Sequence, residues 1–137
     1  MGNKKKVLVF SILIITLFFT SIPVFAVSIY DLRIIASDGT FLGTLEDNQY
    51  ATNSIYNKYG NFGSKYNSNG ILNKYSNYGS DYSDLSPFNK YASKAPGLYD
   101  RNGNFYGTLS VNRYASGVTQ QTYNLALQLK IYRDSLW

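Results

Sequence analysis

One polar, tyrosine-heavy phrase recurs at a spacing of sixteen residues, and this recurrence limits what the chain can fold into. "NKYGNFGSKY" runs from Asn57 to Tyr66, and "NKYSNYGSDY" runs from Asn73 to Tyr82. A third start, "NKYASKAPGLY", opens at Asn89. In register the units are Ser54–Asn69, Gly70–Leu85 and Ser86 onward, with Ile55, Ile71 and Pro87 in one column. Ordering a unit's backbone costs about 1–2 kcal/mol per residue. Its handful of large apolar side chains recovers about 1.5–3 kcal/mol each if wholly buried, so a lone copy cannot order itself. Neighbouring copies that share buried faces can, and paired rings add about 0.5–1.5 kcal/mol. The repetition is therefore expected to be a packing device over residues 54–98.

Neither a helical nor a strand period runs through "SIYNKYGNFGSKYNSN". Gly60, Gly63 and the asparagines suggest turns at corners. A short helical turn over "SIYN" and a loosely ordered connecting loop are the other conformations open to it. Leu, Ile and Val are sparse between residues 46 and 97, so the core there is expected to be aromatic. Tyr59, Tyr75 and Tyr91 are read as that core, leaving Phe62, Tyr66, Tyr78 and Tyr82 to face outward and meet a ligand.

A second duplication frames the first. "DGTFLGTLEDNQY" (Asp38–Tyr50) aligns without gaps to "NGNFYGTLSVNRY" (Asn102–Tyr114). Asp-Gly and Asn-Gly predict two-residue hairpin turns with positive φ at both central positions. Gly43 and Gly107 fall inside the following strands, where a bulge or a close backbone approach calls for glycine. The expected fold is mainly β and irregular: hairpins at residues 32–45 and 97–111 bracketing a short stack of 16-residue units. A C-terminal amphipathic helix over about 119–134 completes it. Leu125, Leu129, Tyr132 and Leu136 share one helical face, and Thr119 or Thr122 can cap its start. The segment Tyr123–Ile131 also alternates as a strand would, but its composition favours the helix.

The first 26 residues follow the order of a secretory signal: Lys4–Lys6, an apolar run from Val7, then Val24-Phe25-Ala26 suited to cleavage. An uncleaved anchor through residues 7–22 is the alternative, though Ser11, Thr16, Thr20, Ser21 and Pro23 interrupt the run. The expected location is secreted or at the cell surface, with membrane contact only during export if the signal is cleaved. Of thirteen Lys and Arg, three lie in this segment, leaving ten against eight acids, or +2, in residues 27–137. No nucleic-acid partner is expected, because the lysines are scattered rather than clustered.

The chain contains neither cysteine nor histidine. That removes disulfide staples, Ser-His-Asp and Cys-His nucleophiles, and zinc sites of His and Cys. No metal or other cofactor is expected. Asp100, Asn102 and Asn104 are spaced like calcium ligands, but the glycine is in the wrong place and no glutamate follows. Paired carboxylates drawn from Asp31, Asp38, Glu46, Asp47, Asp81, Asp84, Asp100 and Asp134 remain conceivable for glycoside hydrolysis.

The chain is accordingly read as a non-enzymatic protein with a binding or structural role, facing cell-wall polysaccharide or a surface protein. Tyrosine and asparagine together favour such surfaces. A small cell-wall hydrolase using a carboxylate pair is the rival. The pattern S-I-x-N-x-Y-G-x-Y-G-S-x-Y-S, then N-x-Y-A-S and D-x-N-G-N-F-Y-G-x-L-x-x-N-x-Y, resembles a group of uncharacterised exported bacterial proteins. The resemblance spans Asp38 to Tyr114, with Ser76 standing for a glycine and Gly70 for a serine. It implies no activity and carries over no catalytic residue.

Overall fold

The computed structural model describes residues 27–137, so the signal-peptide reading of residues 1–26 lies outside the described residues. The protein is mainly β and irregular, with one four-stranded antiparallel sheet and one C-terminal helix. The strands are β1 (Arg33–Ile35), β2 (Phe41–Thr44), β3 (Gly97–Tyr99) and β4 (Phe105–Thr108), in spatial order β2-β1-β3-β4. A 3-10 helix at Ile29–Asp31 precedes them, and α1 (Gln120–Ser135) follows.

Both hairpins form where the sequence predicts, but with three-residue loops. Gly39 N–H donates to Ala36 O and Ala36 N–H to Thr40 O; Gly103 N–H donates to Asp100 O and Asp100 N–H to Asn104 O. Only glycines take positive φ among the described residues, at +89° for Gly39 and +84° for Gly103. Asp38 and Asn102 therefore do not, which corrects the expected two-residue turn. The loop is the longer kind, with a single left-handed glycine and a bulge beside it. The register shifts at Ile34/Ile35 and again at Leu98/Tyr99.

The inner strands β1 and β3 join the hairpins, pairing Arg33 with Tyr99, Ile34 with Leu98 and Ile35 with Gly97. Asp38 and Asn102 lie sixty-four positions apart, and the same offset carries Ile34 onto Leu98. A residue of one hairpin thus pairs with its own counterpart in the other, so an approximate two-fold axis passes through the Ile34–Leu98 pair.

Between the hairpins the chain runs as hydrogen-bonded turns, mostly three residues apart. Ser54, Asn57, Asn67, Gly70 and Asn73 each accept at their carbonyl from the N–H three residues on. A four-residue step comes at Gly60, whose carbonyl accepts from Ser64, and again at Ser76, whose carbonyl accepts from Ser80. Side chains close the same turns from the other side. The Asn57 and Asn73 Oδ1 atoms accept from Tyr59 and Tyr75 N–H at 3.2 and 2.9 Å, and Ser54 Oγ accepts from Tyr56 N–H at 3.0 Å. The amides of Asn57, Asn73 and Asn89 reach back to the carbonyls of Ala51, Asn67 and Ser83. Short Asn and Ser side chains bond the backbone two residues ahead, so a period of three runs through a stretch with neither helical nor strand periodicity. Gly63 and Gly79 lie in the two four-residue steps, where a Cβ would overlap the carbonyls of Asn57 and Asn73.

The core of this segment is not chiefly aromatic. Its buried apolar side chains include Ile55, Ile71, Leu72, Pro87 and Phe88, and Ile55, Ile71, Leu72 and Phe88 join Leu32, Ile34, Leu42, Leu45, Leu98 and Leu109 in one cluster. Helix α1 closes the cluster with Leu125, Ala126 and Leu129, while Leu127 and Ile131 stay exposed, as a helix and not a strand requires. Thr119 and Thr122 cap it reciprocally, each hydroxyl accepting from the other's N–H at 3.2 and 2.9 Å. Arg133 also belongs to the inner face, at 2 % exposure. Its guanidinium stacks 4.7 Å from the Phe88 ring centroid and donates to Gly79 O, Asp81 and Asp134. This buried cation pins the last turns of α1 to the turn segment.

Candidate functional site

The turns hold every such tyrosine in the same way, and what lies over the ring decides whether it meets solvent. Tyr59, Tyr66, Tyr75 and Tyr91 each give their N–H to an Asn or Ser two positions back and keep their rings free, whereas Tyr56 and Tyr78 do the same after Ser54 and Ser76 but pack against the core. Tyr59, Tyr75 and Tyr91 are 90, 76 and 77 % exposed, so they are surface residues and not the expected core. Phe62 and Tyr78, expected to face outward, pack against the core instead. The Phe62 ring meets Phe41 edge-on at 4.9 Å. Tyr78 donates its hydroxyl to Asp38 at 2.7 Å and lies 3.1 Å from the Thr40 hydroxyl, fastening the first hairpin loop. Tyr66 and Tyr82 are exposed as expected. The four predicted contact residues therefore do not form one surface. Tyr82 lines a cavity of about 530 Å³ with Tyr91, Lys90 and Lys130, while Tyr66 stands edge-on to Trp137 at 6.1 Å.

The strongest convergence of side chains lies elsewhere. An open cleft of about 810 Å³ gathers Tyr30, Tyr50, Tyr56, Tyr59 and Tyr132. Tyr30 comes from the 3-10 helix, Tyr50 from the loop after β2, Tyr56 and Tyr59 from the first turns, and Tyr132 from α1. Asp47, Gln49 and Lys58 supply the polar lining. Asn48 fixes the Tyr50 backbone by accepting from its N–H at 2.9 Å. The Tyr56 and Tyr132 rings pack tilted at 5.4 Å. Burial pushes the Tyr56 hydroxyl above its ordinary value, and Tyr132, Tyr30 and Asp47 add to the shift; burial alone raises Tyr132. Both phenols are therefore neutral at ordinary pH and can donate as well as accept. Planar faces with a carboxylate, an amide and an ammonium among them suit a ligand with apolar faces and many hydroxyls.

Tyr30 also lines a neighbouring cavity of about 570 Å³ with Asp31, Glu46, Arg33 and Arg101. Thr44 reaches this cavity, and its hydroxyl oxygen is buried without a hydrogen-bond partner. The other acids have plain structural work. Asp38 is held below its ordinary value by the Tyr78 hydroxyl first and then by Thr40. Asp100 is held down by Asn104 first, partial burial opposing, with further bonds from Tyr106 and Asn102, so its oxygens serve the second hairpin loop. Among the described residues no three His, Cys, Asp or Glu gather as a metal site, and no helix is long and apolar enough to cross a membrane.

Sequence reading missed Tyr30, Tyr50, Tyr56 and Tyr132 as a set because they come from distant segments. The three-residue spacing of Asn and Ser marks the turns that carry Tyr56 and Tyr59, but it does not separate the two, since both give their N–H to a capping side chain and only Tyr56 packs against the core. No protein-family model, curated protein or solved structure matches the chain.

Proposed function

We propose that this is an exported, non-enzymatic protein that binds a cell-wall polysaccharide in its tyrosine cleft, with residues 54–98 serving as a short stack of 16-residue coils. The observation that carries the reading is the convergence of five tyrosines from separate segments on one open cleft, with Asp47, Gln49 and Lys58 beside them. Rings offer flat apolar faces for the carbon face of a sugar, and the polar groups offer donors and acceptors for its hydroxyls. The stack is supported by the burial of matching columns: Ile55, Ile71 and Pro87 are buried together, while Tyr59, Tyr75 and Tyr91 are all exposed.

Sedimentation of the purified protein with insoluble cell walls tests this. The protein is expected in the pellet, and a Tyr50→Ala/Tyr59→Ala variant is expected to bind roughly tenfold more weakly or worse. Both side chains are about nine-tenths exposed, so the fold does not depend on them. A wild-type chain that stays in solution, or a variant that sediments equally, ends the proposal.

The hydrolase reading draws on one observation, the presence of Asp31 and Glu46 in the cavity that shares Tyr30 with the cleft. Sugar release from walls, abolished by Glu46→Gln, would favour it over binding alone.

A further inference from the structure

Four lysines directly precede four exposed tyrosines: Lys58-Tyr59, Lys65-Tyr66, Lys74-Tyr75 and Lys90-Tyr91. Their ammonium groups lie 5.3, 5.2, 5.3 and 5.1 Å from the adjoining ring centroids. The constancy has a local cause. In every case the residue before the lysine, Asn57, Ser64, Asn73 or Asn89, accepts from the tyrosine N–H with its side-chain oxygen, so one turn geometry is made four times.

Trp137 joins the two middle pairs. Its indole N–H donates to Leu72 O at 3.4 Å, and its ring meets Tyr66 at 6.1 Å and Tyr75 at 5.4 Å, both edge-on. Lys65 and Lys74 Nζ stand 4.9 and 4.8 Å from the same indole. Three partly open rings and two ammonium groups therefore share one surface.

The charge on this surface is not neutralised from within. Among the described residues, no carboxylate lies within ion-pair distance of Lys58, Lys65, Lys74 or Lys90. The two acids of the turn segment are engaged elsewhere. Asp81 pairs with Arg133 and Lys130, and Asp84 accepts from the Ser93 N–H and hydroxyl. Ammonium groups over aromatic faces keep most of their capacity to attract an anion, because the cation–ring interaction leaves their charge in place.

We propose that the surface formed by Lys65, Tyr66, Lys74, Tyr75 and Trp137 binds an anionic polysaccharide, its rings stacking on sugar faces and its ammonium groups meeting carboxylates borne by those sugars. This deepens the reading of the protein as a glycan binder by naming the charge class. Lys65 Nζ donates to the neutral Leu136 carbonyl, and a neutral glycan would leave the charge of both ammonium groups uncompensated. A nucleic acid would need several phosphates neutralised together, and residues 27–137 carry a net charge of only +2, ten Lys and Arg against eight acids.

The test compares affinity of the purified protein for polygalacturonate, dextran and a single-stranded oligothymidylate. Polygalacturonate is expected to bind at least about tenfold more tightly than dextran at low salt, with the margin shrinking as salt rises. A Lys65→Gln/Lys74→Gln variant should lose roughly tenfold for polygalacturonate and nothing for dextran. Lys94→Gln, outside the pairs, should change neither.

Equal affinity for the two polymers, indifference to the double substitution, or tighter binding of the oligothymidylate would each overturn the proposal. Wall sedimentation that depends on Tyr50 and Tyr59 together with charge-blind polymer binding removes this surface and keeps the cleft. Polygalacturonate binding that depends on Lys65 and Lys74 without wall sedimentation does the reverse.

Discussion

The two hairpins share a strand register and differ in what lies over them. Ile34 pairs with Gly43 in the first, and Leu98 with Gly107 in the second. Over Gly43 lie Ile55, Phe62 and the Asn53 carbonyl from the turn segment; over Gly107 lie Thr122 of α1 and the Gly117 carbonyl. Leu42 is buried in the first hairpin, whereas its counterpart Tyr106 is exposed and turns its hydroxyl to Asp100. The first loop is fastened by Tyr78, forty residues away in sequence, and the second by its own Asp100. A duplicated hairpin thus keeps its backbone and adapts its outward residues to whichever layer covers it. A single glycine admits either cover, because it lets a side chain approach the strand closely.

The largest effect should come from putting a methyl group into that close approach. At φ of +115° and +128°, Gly43 and Gly107 have backbones that L residues disfavour. Gly43→Ala would also press on Ile55, the Phe62 Cβ and a backbone carbonyl, whereas Gly107→Ala meets chiefly the Thr122 methyl. Denaturant unfolding should show losses of about 3 kcal/mol for Gly43→Ala and about 2 kcal/mol for Gly107→Ala. Equal losses would mean that the two covers are equally compliant.

Next in size is Arg133→Ala, which removes the stack on Phe88 and the charged bonds to Gly79 and Asp81. A loss of about 2–3 kcal/mol is expected, with α1 loosening before the first hairpin in hydrogen exchange. The same latch has a pH signature. Partial burial raises the Asp81 carboxyl, but the hydrogen bond and charge of Arg133, with Lys130, outweigh it and leave it below 3.8. A depressed folded value means that the stabilisation is complete above the ordinary aspartate range and is lost as pH falls through the folded value. The stability gap between wild type and Arg133→Ala should therefore narrow on acidification.

The smallest effect is expected from Tyr78→Phe, which cuts the hydroxyl contacts to Asp38 and Thr40 and leaves the ring in place. The Asp38 carboxyl should rise toward 3.8, since Tyr78 is the leading cause of its depression. Amide exchange should quicken in the first hairpin loop and stay unchanged in the second.

Much of the framework was legible, for reasons that differ by element. The hairpins announced themselves through Asp-Gly and Asn-Gly, although their loop type depended on Asp38 and Asn102 keeping negative φ, which composition does not reveal. Helix α1 was legible from Leu125 and Leu129, but nothing in the sequence marks Arg133 as the buried member of its inner face. The turn segment was not legible because Asn and Ser side chains close it in steps of three residues, which leave neither a helical nor a strand period in the apolar residues. Ile55 and Lys58 hold equivalent places in successive turns, as do Tyr56 and Tyr59, and they differ in burial because the sheet and α1 cover only one side of the turn segment. The cleft was not legible, because its five tyrosines meet only after the sheet and α1 have closed.

The hydrogen-bonded turns carry one more implication. A ring such as that of Tyr59 or Tyr91 hangs from a backbone anchored by its neighbour's side chain, so the architecture asks that position for an amide hydrogen and for nothing beyond it. Selection can rewrite those letters freely while the scaffold stays as it is. A lineage could explore new quarry at each rung without risking collapse, which is a kind of evolutionary latitude that strands and helices, tied to their interiors, seldom offer.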